Sequence, residues 1–297
     1  MNAYLKCKLF LLDRNKGRYI KGSKVRLNFF YFLIMQLKHK HNRFISHVNV
    51  LILANFATGN YCDLCTGHVA CNKQNTFESG CPSNAAMINL DKYKNVLIDA
   101  HNKKRNLIAG GEVSKLKPAC RMATIKWDPE LAKLAEYNVR QCRMNHDKCR
   151  KTVQFKYAGQ NLAEQGNTDT TLDYKKLLEK TVDMWYAEVE NCNQNQIDSF
   201  PSNYRGPAIG HFTVMVAERN THMGCAAAKY KKSDGFTYFL VACNYATTNM
   251  LEFPIYKTCS APAEECKSGK NPKYSNLCAA SEKYEVNKWV KNGMTYY

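Results

Sequence analysis

Two histidines, a glutamate and a cysteine fall within the sixteen residues GHFTVMVAERNTHMGC, Gly210–Cys225. His211 is surrounded by apolar residues, and Glu218 follows it closely. Imidazole and carboxylate groups at such spacing can serve as general acid and base or bind a divalent metal. A histidine in an apolar segment can also be a core residue that is satisfied by hydrogen bonds. Taken alone, these residues leave catalysis, metal binding and a structural role open for His211.

Two serines precede this stretch and could in principle act as nucleophiles. Ser199 and Ser202 lie in DSFPSNYRG, a segment rich in turn-forming residues that lacks the GxSxG pattern of a nucleophile elbow. We interpret both as loop serines.

The chain has 14 cysteines in 297 residues, and thirteen of them fall between Cys62 and Cys278. Cys62 and Cys65 form a CxxC pair, but no second pair follows at the distance that a zinc ribbon needs. The distribution is therefore typical of a disulfide framework in a secreted protein. Cys266 and Cys278 are expected to pair and close the C-terminal end of the chain.

The net charge of +18 is concentrated near the N-terminus, where residues 1–59 contain eleven Lys and Arg and a single acid, Asp13. The remaining chain is moderately basic and contains no RNA- or DNA-binding motif. We therefore expect no nucleic-acid partner.

Residues 48–59, VNVLILANFATG, follow a basic cluster and end in small residues, as a secretory signal does. Cleavage after Gly59 would make Asn60 the new terminus. Residues 1–40 are then either an upstream extension from a misplaced start or an uncleaved anchor. The stretch at 48–59 and a second apolar one, LNFFYFLIMQL at 27–37, are both shorter than the ~20 residues of a bilayer span. We expect an extracellular protein that lacks residues 1–59 and has no stable membrane insertion.

Three helices are predicted in the remaining chain, over about 91–110, 128–142 and 172–192. Asp128 is a good N-cap for the second helix, and Pro129 suits its first position. Residues 60–90 show no periodicity and are predicted to be a loop. Helices interleaved with a late hairpin indicate an α+β fold.

That hairpin is predicted from MGCAAAKYKK and FTYFLVACNY, which flank the loop Ser233-Asp234-Gly235. Glycine suits the left-handed position of such a three-residue loop. The loop pairs Lys232 with Phe236, and the same register places Cys225 opposite Cys243, within disulfide reach.

Four motifs in the chain resemble those of the CAP superfamily (cysteine-rich secretory proteins, antigen 5 and pathogenesis-related 1 proteins). GHFTVMVAERNTHMGC and FLVACNYATTNM resemble its two diagnostic segments, and AHNKKRN and AGQNLA its other landmarks. The opening NYCDLCTGHVAC and the closing CKSGKNPKYSNLC are similar to those of insect antigen 5-related proteins. We assign residues 60–254 to one CAP domain, with residues 60–90 as its opening loop, and residues 255–297 to a short cysteine-containing tail.

The resemblance implies a secreted three-layer α-β-α sandwich that is stabilised by disulfides. By motif position, the implied pairs are Cys62–Cys71, Cys65–Cys149, Cys81–Cys142 and Cys225–Cys243. The last pair agrees with the hairpin register. Besides Cys266 and Cys278, this leaves Cys120, Cys192 and Cys259 without an assigned partner. The number left over is odd, so at least one cysteine is a free thiol or forms an intermolecular link.

The central cleft of the family carries two histidines and two glutamates, and in several members the histidines bind a divalent metal. The matching positions here are His146, Gln160, Glu188 and His211. The resemblance therefore implies His146 and His211 as metal ligands, with Glu188 nearby and zinc as a suitable ion. Gln160 departs from the glutamate of the family, and Ala217 from a frequent tryptophan. Because the tetrad keeps a single carboxylate, we expect no catalytic residue and no required cofactor.

The other histidines are assigned to different roles. His68 lies in the cysteine-rich opening loop and is expected to be solvated. His101 precedes Arg105 by four residues on a helix and is expected to be structural or on the surface. His222 remains a candidate for lining the cleft.

Three functions compete. The first is a non-enzymatic binding protein for a small lipid or sterol, or for a metal, in the central cleft. The second is a metal-dependent hydrolase that uses His146, Glu188 and His211. The third is an extracellular effector that acts on an unknown protein partner through its surface. We favour a monomeric, non-enzymatic protein of the antigen 5 type over the hydrolase.

Overall fold

The computed structural model describes residues 60–169, 171–291 and 293–297, together with two antiparallel strands nearer the N-terminus, β1 (Phe10–Asp13) and β2 (Arg18–Lys21). The chain divides into two compact units, Met1–Phe56 and Ala57–Tyr297. The predicted signal segment at 48–59 lies outside the described residues. In the part of the chain that is described, no helix is long and apolar enough to cross a membrane.

The second unit alternates helices with the strands of a central sheet. In chain order its elements are α1 (Tyr61–Leu64), β3 (Ala86–Ile88), α2 (Lys94–Ala109), β4 (Lys126–Trp127), α3 (Pro129–Val139), β5 (Gly159–Asn167), α4 (Tyr174–Ala187), a 3-10 helix (Glu188–Asn191), α5 (Gln194–Asp198), α6 (Gly210–Val216), β6 (His222–Lys231), β7 (Thr237–Tyr245), β8 (Trp289–Lys291) and β9 (Met294–Tyr296). The strand order is β3-β6-β7-β5, and β4 pairs in parallel with β6. β8 and β9 form a separate two-stranded hairpin.

The hairpin of β6 and β7 has the register predicted from its turn. Gly235 has a φ of +89°, the left-handed conformation that this turn requires. The N–H of Lys232 donates to the carbonyl of Phe236. Cys225 lies opposite Cys243, and the two form a disulfide.

The sheet is covered on both faces, which gives the fold three layers. Val241 of β7 joins an apolar cluster with residues of α2, α4 and α6, whereas its neighbour Leu240 joins a second cluster with residues of α3. Helix α3 approaches the sheet directly at Gly224, where a Cβ would lie 2.1 Å from the backbone nitrogen of Ala132. The predicted α-β-α sandwich is confirmed.

Several predicted boundaries differ from the structure. α2 begins three residues after 91, because a turn in which Asn89 accepts a backbone N–H precedes it. α3 begins as predicted behind its N-cap, Asp128. α4 is shorter than 172–192, because the side chain of Asp173 caps its first turn and the chain tightens into a 3-10 helix at Glu188. The prediction of a loop over 60–90 was wrong at α1 and at β3, which pairs with β6.

Six disulfides cross-link the second unit. They are Cys62–Cys71, Cys65–Cys149, Cys81–Cys142, Cys120–Cys259, Cys225–Cys243 and Cys266–Cys278. Five are the pairs expected from the sequence, and Cys120–Cys259 is an additional one. Among the described residues, Cys192 is left as a free and buried thiol.

Residues 255–297 belong to the same compact unit as the rest of the domain. Tyr256 and Leu277 lie in its main apolar cluster. The side chain of Glu282 is only 1% exposed and accepts a hydrogen bond from Arg121 Nε at 2.8 Å and two more from backbone amides. Burial by itself would raise the pKa of Glu282, but these donors lower it to about 2. The tail is therefore held by a buried ion pair as well as by a disulfide.

Candidate metal-binding cleft

A cleft of about 450 Å³ lies between β5, the first turn of α6 and the segment after β7. Seven of its ten lining residues carry polar side chains: His146, Arg150, Gln160, Asn161, His211, Thr248 and Asn249. Three of the four positions expected from the resemblance thus line one cleft. The fourth, Glu188, lies directly behind His211.

His211 is the second residue of α6, and Glu188 fixes it there. The N-cap residue Ile209 offers no side-chain hydrogen bond. In its place, Oε2 of Glu188 accepts the backbone N–H groups of His211 at 2.8 Å and Phe212 at 3.1 Å. Oε1 of Glu188 lies 2.6 Å from Nδ1 of His211. A carboxylate here satisfies amides that have no partner within the helix and complements the helix dipole.

The contact with Glu188 also sets the tautomer of His211. An ionised carboxylate can only accept, so in a neutral imidazole Nδ1 carries the hydrogen and Nε2 keeps its lone pair. The imidazole lies nearly parallel to the indole of Trp185, with an interplanar angle of 15°, and its side chain is 31% exposed. None of the described residues is hydrogen-bonded to Nε2. This nitrogen is therefore available to a ligand.

His146 is exposed on the segment after α3 and is held by an amide. Its Nδ1 lies 2.9 Å from Oε1 of Gln160 on β5. The amide of Gln160 is oriented by Asn244, which lies opposite it on β7 and whose Oδ1 accepts from Nε2 at 3.0 Å. Because the oxygen of Gln160 therefore faces His146, the imidazole donates from Nδ1 and its Nε2 keeps the lone pair. The two histidines share one tautomer.

Three further residues shape the cleft and were not identified from the sequence. Asp147 has a side chain that is 1% exposed and accepts from Nε2 of Gln160 at 2.6 Å. Arg150 donates to the carbonyl of Asp147 at 2.5 Å, and burial lowers the pKa of Arg150 although the carboxylate of Asp147 opposes this. Asn249 donates to the carbonyl of Gly210 at 3.0 Å, while its buried Oδ1 has no hydrogen-bond partner in the part of the chain that is described. Asp147 and Arg150 could have been proposed as cleft residues from the sequence, because both lie close to His146 in NHDKCR.

The donor set of the cleft fits a divalent metal. Two neutral imidazoles with free Nε2 lone pairs suit a borderline ion such as zinc, with water completing the coordination. Gln160 and Glu188 are each committed to an Nδ1, so they orient the ligands. Outer contacts of this kind fix the tautomer of a metal-binding histidine.

Elsewhere in the described residues, two clusters each place three ligand atoms within 4.8 Å of one another. They are Cys65, His68 and Cys149, and Cys120, Cys259 and Glu265. Each contains the two cysteines of a disulfide, whose sulfurs are not thiolates and are poor metal ligands. Neither cluster competes with the cleft as a candidate metal site.

The other histidines lie away from the cleft wall. The prediction that His68 is solvated was wrong, because its Nε2 lies 2.8 Å from the carbonyl of Lys151 and its Nδ1 accepts the N–H of Ala70 at 3.1 Å. His101 is completely buried and structural. His222 is hydrogen-bonded to the adjacent threonine and does not line the cleft.

The remaining sequence candidates are also structural. Ser199 is the C-cap of α5, and Ser202 lies in an exposed turn. Glu218 accepts the N–H of Lys257 at 2.9 Å, which ties the segment after α6 to the tail. None of these three side chains lines the cleft.

Comparisons with known proteins identify the family. The sequence model described as "Cysteine-rich secretory protein family", or CAP, matches residues 98–245. Venom allergen-1 of Aedes aegypti is 41% identical over 244 residues, which cover 80% of this chain and 94% of that protein. The chain belongs to the CAP family.

Other CAP proteins support this assignment. Venom allergen 3 of Solenopsis invicta is 31% identical over 69% of this chain and 92% of its own length. Two solved structures share the fold. NaASP2 with Zn²⁺ has a TM-score of 0.53 at 24% identity, and the match covers 67% of this chain and 100% of that one. BmVAL-1 has a TM-score of 0.54 at 21% identity, and the match covers 68% of this chain and 98% of that one. With six disulfides and venom-allergen relatives, the chain is a CAP-domain protein of the secreted class.

Proposed function

We propose that this CAP protein is an extracellular, non-enzymatic binding protein whose cleft takes up a divalent metal through Nε2 of His146 and His211. One observation carries the proposal: each Nδ1 is committed to a fixed acceptor, Glu188 at 2.6 Å or Gln160 at 2.9 Å, and neither Nε2 is hydrogen-bonded to a described residue. Zinc is the ion that this donor set fits best. NaASP2, which shares the fold, was solved with Zn²⁺, and this agrees with the choice of ion.

The state of Glu188 favours binding over hydrolysis. A metal-dependent hydrolase needs a group that can take a proton from the attacking water. The oxygens of Glu188 already accept three hydrogen bonds from His211 and Phe212. The other nearby carboxylate, Asp147, is buried behind Gln160.

A small hydrophobic ligand is a second candidate, and it fits a different cavity. This cavity of about 490 Å³ has a mixed wall, in which the apolar residues Ile88, Trp127 and Ala132 lie beside charged ones such as Lys94, Lys133 and Glu136. Arg140 also lines it, and its buried Nε has no hydrogen-bond partner among the described residues. A lipid would place its tail against the apolar residues and a carboxylate head group near Arg140. Lipid that is recovered by extraction of the secreted protein, and lost in Ala132→Phe, supports this candidate; equal recovery from both proteins counts against it.

Zinc titration of chelator-treated protein tests the metal proposal. We expect one ion per chain in the wild type and at least a tenfold loss of affinity in His146→Ala and in His211→Ala. His222→Ala, which changes a histidine outside the cleft, is the matched control and should bind as the wild type does. Unchanged affinity in both cleft variants would overturn the proposal. Metal-restored turnover of an ester or peptide library that disappears in His211→Ala would favour the hydrolase.

A further inference from the structure

The amide of Gln160 is fixed by four hydrogen bonds, and a carboxylate could not make the two that Nε2 donates. Its Nε2 donates to Oδ2 of Asp147 at 2.6 Å and to Oδ1 of Asn244 at 3.0 Å. Its Oε1 faces two donors, the N–H of Asp147 at 3.3 Å and Nδ1 of His146 at 2.9 Å. Gln160 is only 8% exposed, so water does not replace these partners. Both amide hydrogens and the carbonyl are thus used.

The two acceptors that face Nε2 are themselves fixed. The carboxylate of Asp147 also accepts from Asn138 Nδ2 at 2.7 Å, from Gln141 Nε2 at 3.3 Å and from Arg150 Nε at 3.5 Å. These donors satisfy both oxygens of the buried carboxylate group. Asn244 uses its Nδ2 to donate to the carbonyl of Leu131 at 3.1 Å, which leaves its Oδ1 directed at Gln160.

We propose that Asp147 is a positioning residue of the cleft: it selects glutamine rather than glutamate at position 160 and, through that amide, holds His146 with its hydrogen on Nδ1. The CAP resemblance leads one to expect a carboxylate at position 160. In this chain the carboxylate is instead that of Asp147, which contacts the amide of Gln160. His211 is oriented by a carboxylate directly, and His146 by a carboxylate through an intervening amide. This inference rests on the proposed metal site for its functional meaning, but the hydrogen-bond arrangement can be tested without metal.

In Gln160→Glu, a carboxylate oxygen would replace Nε2, which now lies 2.6 Å from Oδ2 of Asp147. Two carboxylates in contact in a buried position repel each other, and Asp147 would lose the hydrogen bond that Nε2 of Gln160 now donates. Gln160→Glu is therefore expected to be less stable than the wild type.

The test compares thermal unfolding of metal-free wild type, Gln160→Glu, Asp147→Asn and the double variant. We expect Gln160→Glu to lower the Tm by about 5 °C or more at pH 7.5. In the double variant only one carboxylate remains, so Asp147→Asn should raise the Tm of the Gln160→Glu protein even though it lowers that of the wild type. Gln165→Glu is the matched control, because Gln165 is buried on the same strand but donates to Leu177 and Thr181. Asp147→Asn should not rescue Gln165→Glu.

Nitrogen-15 shifts of the His146 ring give an independent readout. In the metal-free wild type at pH 7.5 we expect a protonated Nδ1 and an unprotonated Nε2, with the signals assigned by their loss in His146→Ala. The inference is overturned if Gln160→Glu is as stable as the wild type at pH 7.5, if Asp147→Asn fails to rescue it, or if His146 carries its hydrogen on Nε2. A wild type with this tautomer that binds no zinc would contradict the proposed function and leave the role of Asp147 intact.

Discussion

Glu188 binds His211 twice, accepting from Nδ1 at 2.6 Å and from the backbone N–H at 2.8 Å. The orientation of the imidazole is thereby tied to the capping of α6, because the ring cannot turn away from Glu188 without leaving one of its oxygens unpaired. His146 is held less tightly, on an exposed segment and through the amide of Gln160. The two ligands share a tautomer but differ in how rigidly they are placed.

Glu188→Gln is expected to weaken zinc binding by roughly 10–100-fold. An amide cannot accept the three hydrogen bonds that now come from His211 and Phe212 with the strength of a charged carboxylate. Glu190→Gln is the matched control, since Glu190 is two residues away and has a side chain that is 81% exposed. Calorimetric titration gives both affinities. Equal binding by Glu188→Gln and wild type would show that His211 is oriented by something else.

Arg105 anchors the opposite end of α6. Its buried guanidinium donates to the carbonyls of Met215 at 2.7 Å, Ala217 at 2.9 Å and Ala123 at 2.6 Å. Burial lowers the pKa of Arg105 to about 10, so it stays charged at neutral pH. Arg105→Met removes the guanidinium donors of these three carbonyls, of which Ala217 keeps the N–H of Asn220 at 3.1 Å, and is expected to remove about 3 kcal/mol or more of unfolding free energy. Denaturant titration measures this, and Lys103→Met on the exposed side of α2 is the control.

A loss of less than about 1 kcal/mol in Arg105→Met would contradict this anchoring role. Arg105 also contacts Ala217, the position at which the family resemblance leads one to expect tryptophan. Ala217 is buried and offers its carbonyl to the guanidinium. Nothing in the structure explains why alanine itself occurs there.

The buried imidazole of His101 predicts a loss of stability in mild acid. Its Nδ1 lies 2.8 Å from the carbonyl of Leu97 and its Nε2 lies 2.8 Å from the hydroxyl of Tyr245. Burial lowers the pKa of His101 from 6.5 to about 4, against the opposing effect of the Leu97 contact. The unfolded chain therefore binds more protons between these values, and the free energy of unfolding falls by up to roughly 3 kcal/mol as pH drops from 6.5 to 4.

Replacement of His101 by glutamine should flatten this dependence. Denaturant titrations at pH 7 and pH 4.5 give the difference in unfolding free energy for each protein. We expect a smaller difference in His101→Gln than in the wild type. The same difference in both proteins would mean that the acid sensitivity comes from other groups.

Cys192 is expected to be unreactive in the folded protein. The thiol is almost completely buried, and burial raises its pKa to about 11. The reactive thiolate is therefore scarce at pH 8. Iodoacetamide should add nothing to the native protein and one group to the unfolded, unreduced protein that begins at Asn60. Mass spectrometry counts the additions; rapid native labelling or a disulfide-linked dimer would contradict this assignment.

Local geometry and motif spacing were enough to predict some features of the protein. The loop around Gly235 fixed the register that joins Cys225 to Cys243, because turn chemistry acts over a few residues. The positions of His146 and His211 came from motif resemblance. The pairing of Cys120 with Cys259 was not predictable, because it depends on how the tail folds back onto the domain.

Burial was the main property that the sequence did not reveal. His68 lies among polar and turn-forming residues, yet it is buried because two backbone groups satisfy both of its nitrogens. Asp147 sits in an equally polar stretch, yet its carboxylate is enclosed by donors from α3 and β5. Such contacts join distant segments and leave no local pattern.

The central claim is that Nε2 of His146 and Nε2 of His211 bind one metal ion. Crystals of chelator-treated protein soaked with zinc, and mapped by anomalous scattering at the zinc edge, test it most directly. We predict one peak in the cleft, about 2.0–2.1 Å from both Nε2 atoms. Zinc bound only at other residues, or a cleft without a peak in crystals that hold zinc elsewhere, would contradict the account.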